Sequence, residues 1–96
     1  MSVWVTLEMH VKEGAFDRLL PFLEDNLPNV RGFAGARSVS VYFEADSDRF
    51  LLMEEWHSRR HHEDYIASIS QSGIMTALMD FMRGPPKIQY YEKVSI

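Results

Sequence analysis

Between Val3 and Val11 every second residue is apolar: Val3, Val5, Leu7, Met9 and Val11 share one side, and Trp4, Thr6, Glu8 and His10 fill the other. A period of two is the mark of a strand with one greasy face. After the turn at Lys12-Glu13-Gly14 the period changes. Phe16, Leu19, Leu20, Leu23 and Leu27 recur at helical spacing, which predicts an amphipathic helix packed on a sheet. A strand that exposes one apolar face and a helix that needs one to cover commit the chain to a layered α+β design. Pro21 lies inside the helical pattern; without an N–H it leaves the Asp17 carbonyl unpaired and predicts a kink. Leu27-Pro28 predicts the helix end.

Val30 to Gly35 reads as a loop with two glycines, and Ala36 to Glu44 as a second strand, with Val39, Val41 and Phe43 alternating against Ser38, Ser40 and Tyr42. Ala45-Asp46-Ser47-Asp48 is turn chemistry, so Phe50 to Trp56 returns as a third strand in a hairpin with the second. Its run Phe50-Leu51-Leu52-Met53 suggests burial on both faces. Ser58 is placed to cap a helix that starts at Arg59 and presents Tyr65, Ile66 and Ile69 on its apolar side. Gln71-Ser72-Gly73 interrupts that helix. Met75, Leu78, Met79 and Met82 predict a further one, stopped by Gly84-Pro85-Pro86, and Lys87 to Val94 is the last strand. The order β-α-β-β-α-(α)-β predicts a ferredoxin-like split βαβ fold over residues 1–96, with a four-stranded antiparallel sheet and helices on one face. Both sheet faces carry bulky side chains and the helices can cover only one. A homodimer is therefore expected, with the C-terminal strand in reach of the partner.

The composition closes off several functions. Ten Lys and Arg against 14 Asp and Glu give a net charge of −4 without a basic stripe, which argues against nucleic-acid binding. The chain has no cysteine, hence no thiolate nucleophile or zinc-thiolate site. Neither a signal-peptide pattern nor an apolar run of the roughly 20 residues that span a bilayer is present, so a cytoplasmic protein with no membrane partner is expected.

Several segments resemble the antibiotic-biosynthesis-monooxygenase-like family of small dimeric α+β-barrel proteins. Asn26-Leu27-Pro28 followed by Arg31-Gly32-Phe33 and Gly35 is similar to that family's segment after the first helix. Glu54-Glu55-Trp56-His57-Ser58 is similar to its strand-end motif, and Tyr65 stands where many members place Tyr or His. Gly84-Pro85-Pro86 and the Tyr-containing final strand match one branch. The resemblance implies a dimeric α+β barrel. It also implies one of several activities: cofactor-independent quinol or anthrone oxidation, haem degradation, or isomerisation of a phosphorylated signalling molecule. Where the isomerase and quinol-oxidising members often carry a pair of histidines, this chain has Tyr65 and Ser70. Where the haem-degrading branch uses an Asn on the first strand, it has Thr6-Leu7-Glu8.

Most groups able to do chemistry near neutral pH fall between Phe50 and Tyr65. Trp56 either walls an aromatic-substrate pocket or packs in the core, and the two are compatible. His61 and Tyr65, four residues apart, share a helix face and are the expected catalytic pair. His57, His61 and His62 do not make a metal motif, because His57 precedes the cap and the other two are adjacent and diverge by about 100° on a helix. His62 is expected to pack. Asn26 and Arg31 flank the helix end; Arg31 either steadies an oxyanion or pairs with Glu24 or Asp25. One of Glu54 and Glu55 must face inward, with Arg31, Arg37 and Lys87 as candidate partners. Met75 and Met79 line a flexible pocket or fill the core.

The function these features favour is a monooxygenase that needs no cofactor or metal and oxidises a small phenolic, quinol or polycyclic aromatic with O2. His61 or Tyr65 would take the phenolic proton; Trp56, Met75, Met79, Asn26 and Arg31 would bind the substrate. The alternative is a non-catalytic, dimeric small-ligand binder or stress protein of the same fold. A haem-degrading oxygenase is third.

Overall fold

The computed structural model describes residues 2–96. The elements are β1 (Val3–His10), α1 (Phe16–Arg31), β2 (Ala36–Glu44), β3 (Arg49–Trp56), α2 (Arg59–Ser72), α3 (Ile74–Met79) and β4 (Lys87–Tyr91). The strands form one antiparallel sheet in the order β2-β3-β1-β4. With helices packed on one face, this is the ferredoxin-like α+β arrangement. Among the described residues no helix is long and apolar enough to cross a membrane.

The alternation of the strands decides which side chains meet the helices. Val5, Leu7 and Met9 of β1 point inward beside Phe50, Leu52 and Trp56 of β3, and Leu19, Leu23 and Leu78 close over them. One inward row breaks the apolar pattern. Across the sheet it runs Val39, Glu54, Val5 and Tyr90, so a carboxyl group stands between two valines in the layer the helices cover. The opposite face carries Trp4, Tyr42, Leu51, Met53 and Tyr91, with Tyr42 and Tyr91 about half exposed.

Four sequence expectations are corrected. Helix α1 continues through Pro28 to Arg31, so Val30 and Arg31 are helical and the loop is shorter than expected. Pro21 and Pro28 lie two turns apart and both are exposed, so the carbonyls they leave without a donor face water. Strand β3 alternates between buried Phe50 and Leu52 and half-buried Leu51 and Met53, rather than burying both faces fully. Helix α3 stops at Met79. Met82 instead bridges to Val11, and the Lys12 and Arg83 amides bond the Phe81 and His10 carbonyls. Strand β4 ends at Tyr91, opposite Trp4, one residue from the start of the strand it pairs with.

Ser58 caps α2 as its position in the sequence suggests, accepting from the His61 amide. The first turn of α2 packs against Gly35, at the entrance to β2. Gly35 has φ 90°, and a Cβ there would lie 2.4 Å from the His61 ring. Gly35→Ala is therefore expected to destabilise the fold by about 2 kcal/mol or more, from strain and overlap together. Adding His61→Ala removes the ring's share of the overlap but leaves the Cβ of residue 61 at 2.6 Å, so only part of the loss is recovered. Denaturant unfolding of the two variants checks this, and an unchanged midpoint for Gly35→Ala would contradict the close approach.

Candidate active site

An enclosed cavity of about 50 Å3 lies between the sheet and the helices. Its walls are mostly aliphatic and aromatic, from Leu7, Leu52, Phe22, Leu27, Ile66 and Met75 among others. Three polar side chains reach it: Glu54 from β3, Tyr65 from α2 and Asn26 from α1. A second hollow, about 970 Å3, is an open groove along β4, bordered by Ser2, Ser58, Arg59, Tyr90 and Lys93. The enclosed cavity is the candidate site, because an apolar, water-excluding space with a few convergent polar groups is what small-molecule chemistry requires.

Glu54 is the unusual group. It is 2% exposed, and its Oε1 accepts a 2.7 Å hydrogen bond from the Trp56 indole two residues along the same strand. None of the expected partners reaches it. Arg31 donates to the Val39 carbonyl at 3.0 Å, Arg37 lies 3.1 Å from His57 Nδ1, and Lys87 is exposed on the opposite face of the sheet. Burial without a cation pushes the Glu54 carboxyl above the ordinary carboxylate range, and the indole bond pulls it back in part.

His62 covers Glu54 from α2. It is completely buried, its Nε2 lies 3.7 Å from Glu54 Oε1, and its Nδ1 lies 2.7 Å from the Tyr90 hydroxyl. Burial lowers its pKa to about 4, so the imidazole is neutral at physiological pH, with Glu63 opposing the shift. Tyr65 packs edge-on against Phe33 and at a tilt to Trp56. Burial, with the nearby Glu54 charge, raises its phenol to about 12. It is therefore a hydrogen-bond donor at neutral pH and not a base.

The structure brings together only part of the expected site. Tyr65, Asn26 and Met75 border the cavity. Trp56 stands behind it, fully buried, holding Glu54 rather than forming the wall. Met79 packs on the core, and Arg31 is exposed and does not line the cavity. His61 does not join Tyr65: helical side chains tilt toward the N-terminus, and its Nδ1 lies 2.7 Å from the capping Ser58 hydroxyl, beside Gly35 and His57. Among the described residues no three histidine or acidic side chains converge as a metal site. Glu54, His62 and Tyr90 are additions. Their signals lie in the pattern: Glu54 falls in phase with Phe50, Leu52 and Trp56, and His62 precedes Ile66 and Ile69 by four and seven residues on one stripe.

A family model described as antibiotic biosynthesis monooxygenase matches residues 2–72. Among solved structures, a conserved protein from Methanosarcina mazei Go1 superposes with a TM-score of 0.84 at 18% identity, covering 98% of this chain and 94% of that one. The protein Rv0793 from Mycobacterium tuberculosis gives 0.82 at 19% identity, covering 100% and 98%. A monooxygenase from the gene ActVA-Orf6 of Streptomyces coelicolor, in complex with nanaomycin D, gives 0.81 at 16% identity, covering 99% and 89%. At these identities the likeness is one of fold. No curated protein matches the sequence.

The shift at His62 sets a pH dependence. Its folded pKa, about 4, lies below the ordinary value of 6.5, so the unfolded chain binds the proton more readily. The stability it contributes is present above pH 6.5 and lost as the pH falls toward 4, a span of about 3 kcal/mol. Glu54, shifted upward, acts with the opposite sign, its contribution fading as the pH rises above 4.5. Unfolding free energies of the wild type and His62→Gln are therefore expected to diverge between pH 4 and 7, the wild type gaining the more. Parallel curves would mean that His62 is not held neutral by the fold.

Proposed function

The chain belongs to the antibiotic biosynthesis monooxygenase family, and from that membership and the acid-bearing apolar cavity we propose that it is a cofactor-independent monooxygenase acting on a small phenolic, quinol or polycyclic aromatic. The observation that carries the proposal is Glu54: a carboxyl group at the wall of an apolar cavity, with no Lys or Arg paired to it among the described residues, and with its affinity for a proton raised. Such a group is a base tuned toward neutral pH.

In this reading Glu54, in place of the pair expected from the sequence, takes the proton of the phenol or its enol. The Tyr65 hydroxyl and the Asn26 amide donate to the oxygen on which negative charge develops. Asn26 already gives one N–H to the Phe22 carbonyl at 2.8 Å, which fixes the amide and leaves its second N–H free to donate. The electron-rich anion then reduces O2. One oxygen atom enters the ring as a carbonyl and the other leaves as water, so that a CH2 group and O2 give C=O and H2O. The balance needs no external reductant. Exclusion of water by the apolar walls protects the anion and strengthens the polar contacts.

The cavity as it stands is smaller than the roughly 300 Å3 typical of ligand pockets, so the substrate must open it. Six-residue α3 carries Ile74, Met75 and Leu78 into the wall, and an unbranched thioether is the side chain best suited to yield. The same small volume favours a second reading, a non-catalytic dimeric binder of a compact apolar ligand. Oxygen uptake with 1,8-dihydroxyanthrone and a series of substituted hydroquinones separates the two. Insertion of one oxygen atom of O2 is expected, giving the anthraquinone from the anthrone and the hydroxyquinone from a hydroquinone, with water rather than peroxide as the other product. Glu54→Gln is expected to lower kcat by about 100-fold or more and Tyr65→Phe by less. Wild-type kcat/KM is expected to rise with pH as Glu54 ionises. Binding without oxygen uptake would leave the binder, and an unimpaired Glu54→Gln would remove Glu54 as the base.

The homodimer belongs to the same proposal. Its interface is assigned to the open sheet face, where Trp4, Tyr42, Leu51, Met53 and Tyr91 present an apolar area that no helix covers. Sedimentation is expected to give a dimer at micromolar concentration and a folded monomer for Leu51→Arg with Met53→Arg. A monomeric wild type would contradict the assignment.

A further inference from the structure

His62 takes no part in the proton abstraction assigned to Glu54, yet it is a polar group placed entirely inside the core. It is fully buried, and among the described residues its Nε2 has no hydrogen-bond partner. An unsatisfied buried ring nitrogen destabilises the fold, and an aromatic hydrocarbon of similar shape would avoid the cost. A purely structural network would close its bonds. This one is open at a single point, the 3.7 Å between His62 Nε2 and Glu54 Oε1.

The sheet register shows why the gap lies there. Glu54, Val5 and Tyr90 occupy consecutive positions of one inward row, on β3, β1 and β4. Val5 separates the carboxyl from the phenol, and His62 lies above the row with one nitrogen toward each. Tyr90 is the first member of the row to reach the outside. It is half-buried, it borders the open groove, and the Arg59 guanidinium sits 4.3 Å over its ring. Glu63, bonded to Arg59 at 3.3 Å, stands exposed beside it. The groups facing His62 are thus Glu54 from β3, Tyr90 from β4, and Arg59 and Glu63 from its own helix.

We infer that Glu54, His62 and Tyr90 form a proton wire that connects the enclosed cavity to the groove along β4. The inference rests on Glu54 being the base proposed above. When Glu54 has taken the substrate proton, rotation of the carboxyl closes the 3.7 Å gap, and the new O–H passes its proton to His62 Nε2. His62 Nδ1–H gives its proton to the Tyr90 oxygen as the Tyr90 O–H proton leaves to water in the groove. Glu54 is returned to the carboxylate, the imidazole changes tautomer, and the charge that leaves the cavity is one proton. Oxidation of a CH2 group to C=O by O2 consumes and releases no net protons. The same wire therefore runs inward when the departing hydroxide is protonated, and this restores the tautomer. Because burial holds the imidazole far below its ordinary pKa, the proton passes through His62 without resting there. His62 and Tyr90 act through Glu54 and are positioning residues for proton flow; neither touches the substrate.

A substrate-free test uses a light-triggered pH jump with a photoacid, followed by time-resolved infrared at the Glu54 carboxyl band, which is identified by its loss in Glu54→Gln. Tyr90→Phe keeps the ring that Arg59 and His62 pack against and removes only the hydroxyl. It is expected to slow protonation of Glu54 about tenfold or more while leaving its equilibrium midpoint close to the wild type, and His62→Phe is expected to do the same. A rate unchanged in Tyr90→Phe overturns the wire, and so does a shift in midpoint that accounts for the whole change in rate. Since no substrate is used, a protein that fails to oxidise any aromatic but shows the slowed protonation would lose the monooxygenase reading and keep the wire. Turnover with an unslowed Tyr90→Phe would do the reverse.

Discussion

A single hydrogen bond, from the Trp56 indole to Glu54 Oε1, allows a carboxyl group to stand in the apolar layer of this fold. Both residues lie on β3 in the same phase, so the strand that brings the acid inward also brings its only hydrogen-bond donor among the described residues. A carboxylate buried without any partner would cost several kcal/mol. One satisfied by a lone neutral donor is tolerable, and keeps a raised proton affinity. Everything chemically distinctive follows from that compromise. Tyr65 is pushed up as a phenol partly by the Glu54 charge, and the gap at His62 faces the same oxygen.

The fold around this interaction serves two different demands. The helix-covered face is closed, apolar and small in volume, which suits a reaction that must exclude water. The opposite face keeps its aromatic and aliphatic side chains uncovered. Family membership accounts for the shared architecture, and the low identity to solved relatives means that the activity has to be argued from the cavity's own groups.

How far the sequence could be read depended on whether the deciding contact was local. The period-two strands, the hairpin at Ala45 to Asp48 and the Ser58 cap depend on neighbouring residues and were legible. Continuation of α1 past Pro28 was not, because it depends on which side of the helix meets water. Release of Met82 from α3 was not, because it depends on the distant backbone at Val11. In the site, Tyr65, Asn26 and Met75 were legible as cavity residues. The choice between Glu54 and Glu55 needed the in-out phase of β3, one residue in period two. The choice between His61 and His62 needed the helix phase, where one residue is about 100°. A single step in either phase separates a surface group from a buried one.

The most direct measurement is the titration of Glu54 by carbon NMR of its side-chain carboxyl, in the wild type and in Trp56→Phe. Expected is a wild-type midpoint above the ordinary 4.5, moving higher still when the indole donor is lost. A midpoint at or below 4.5, or one that falls in Trp56→Phe, would contradict the buried, indole-held carboxyl on which the site is built.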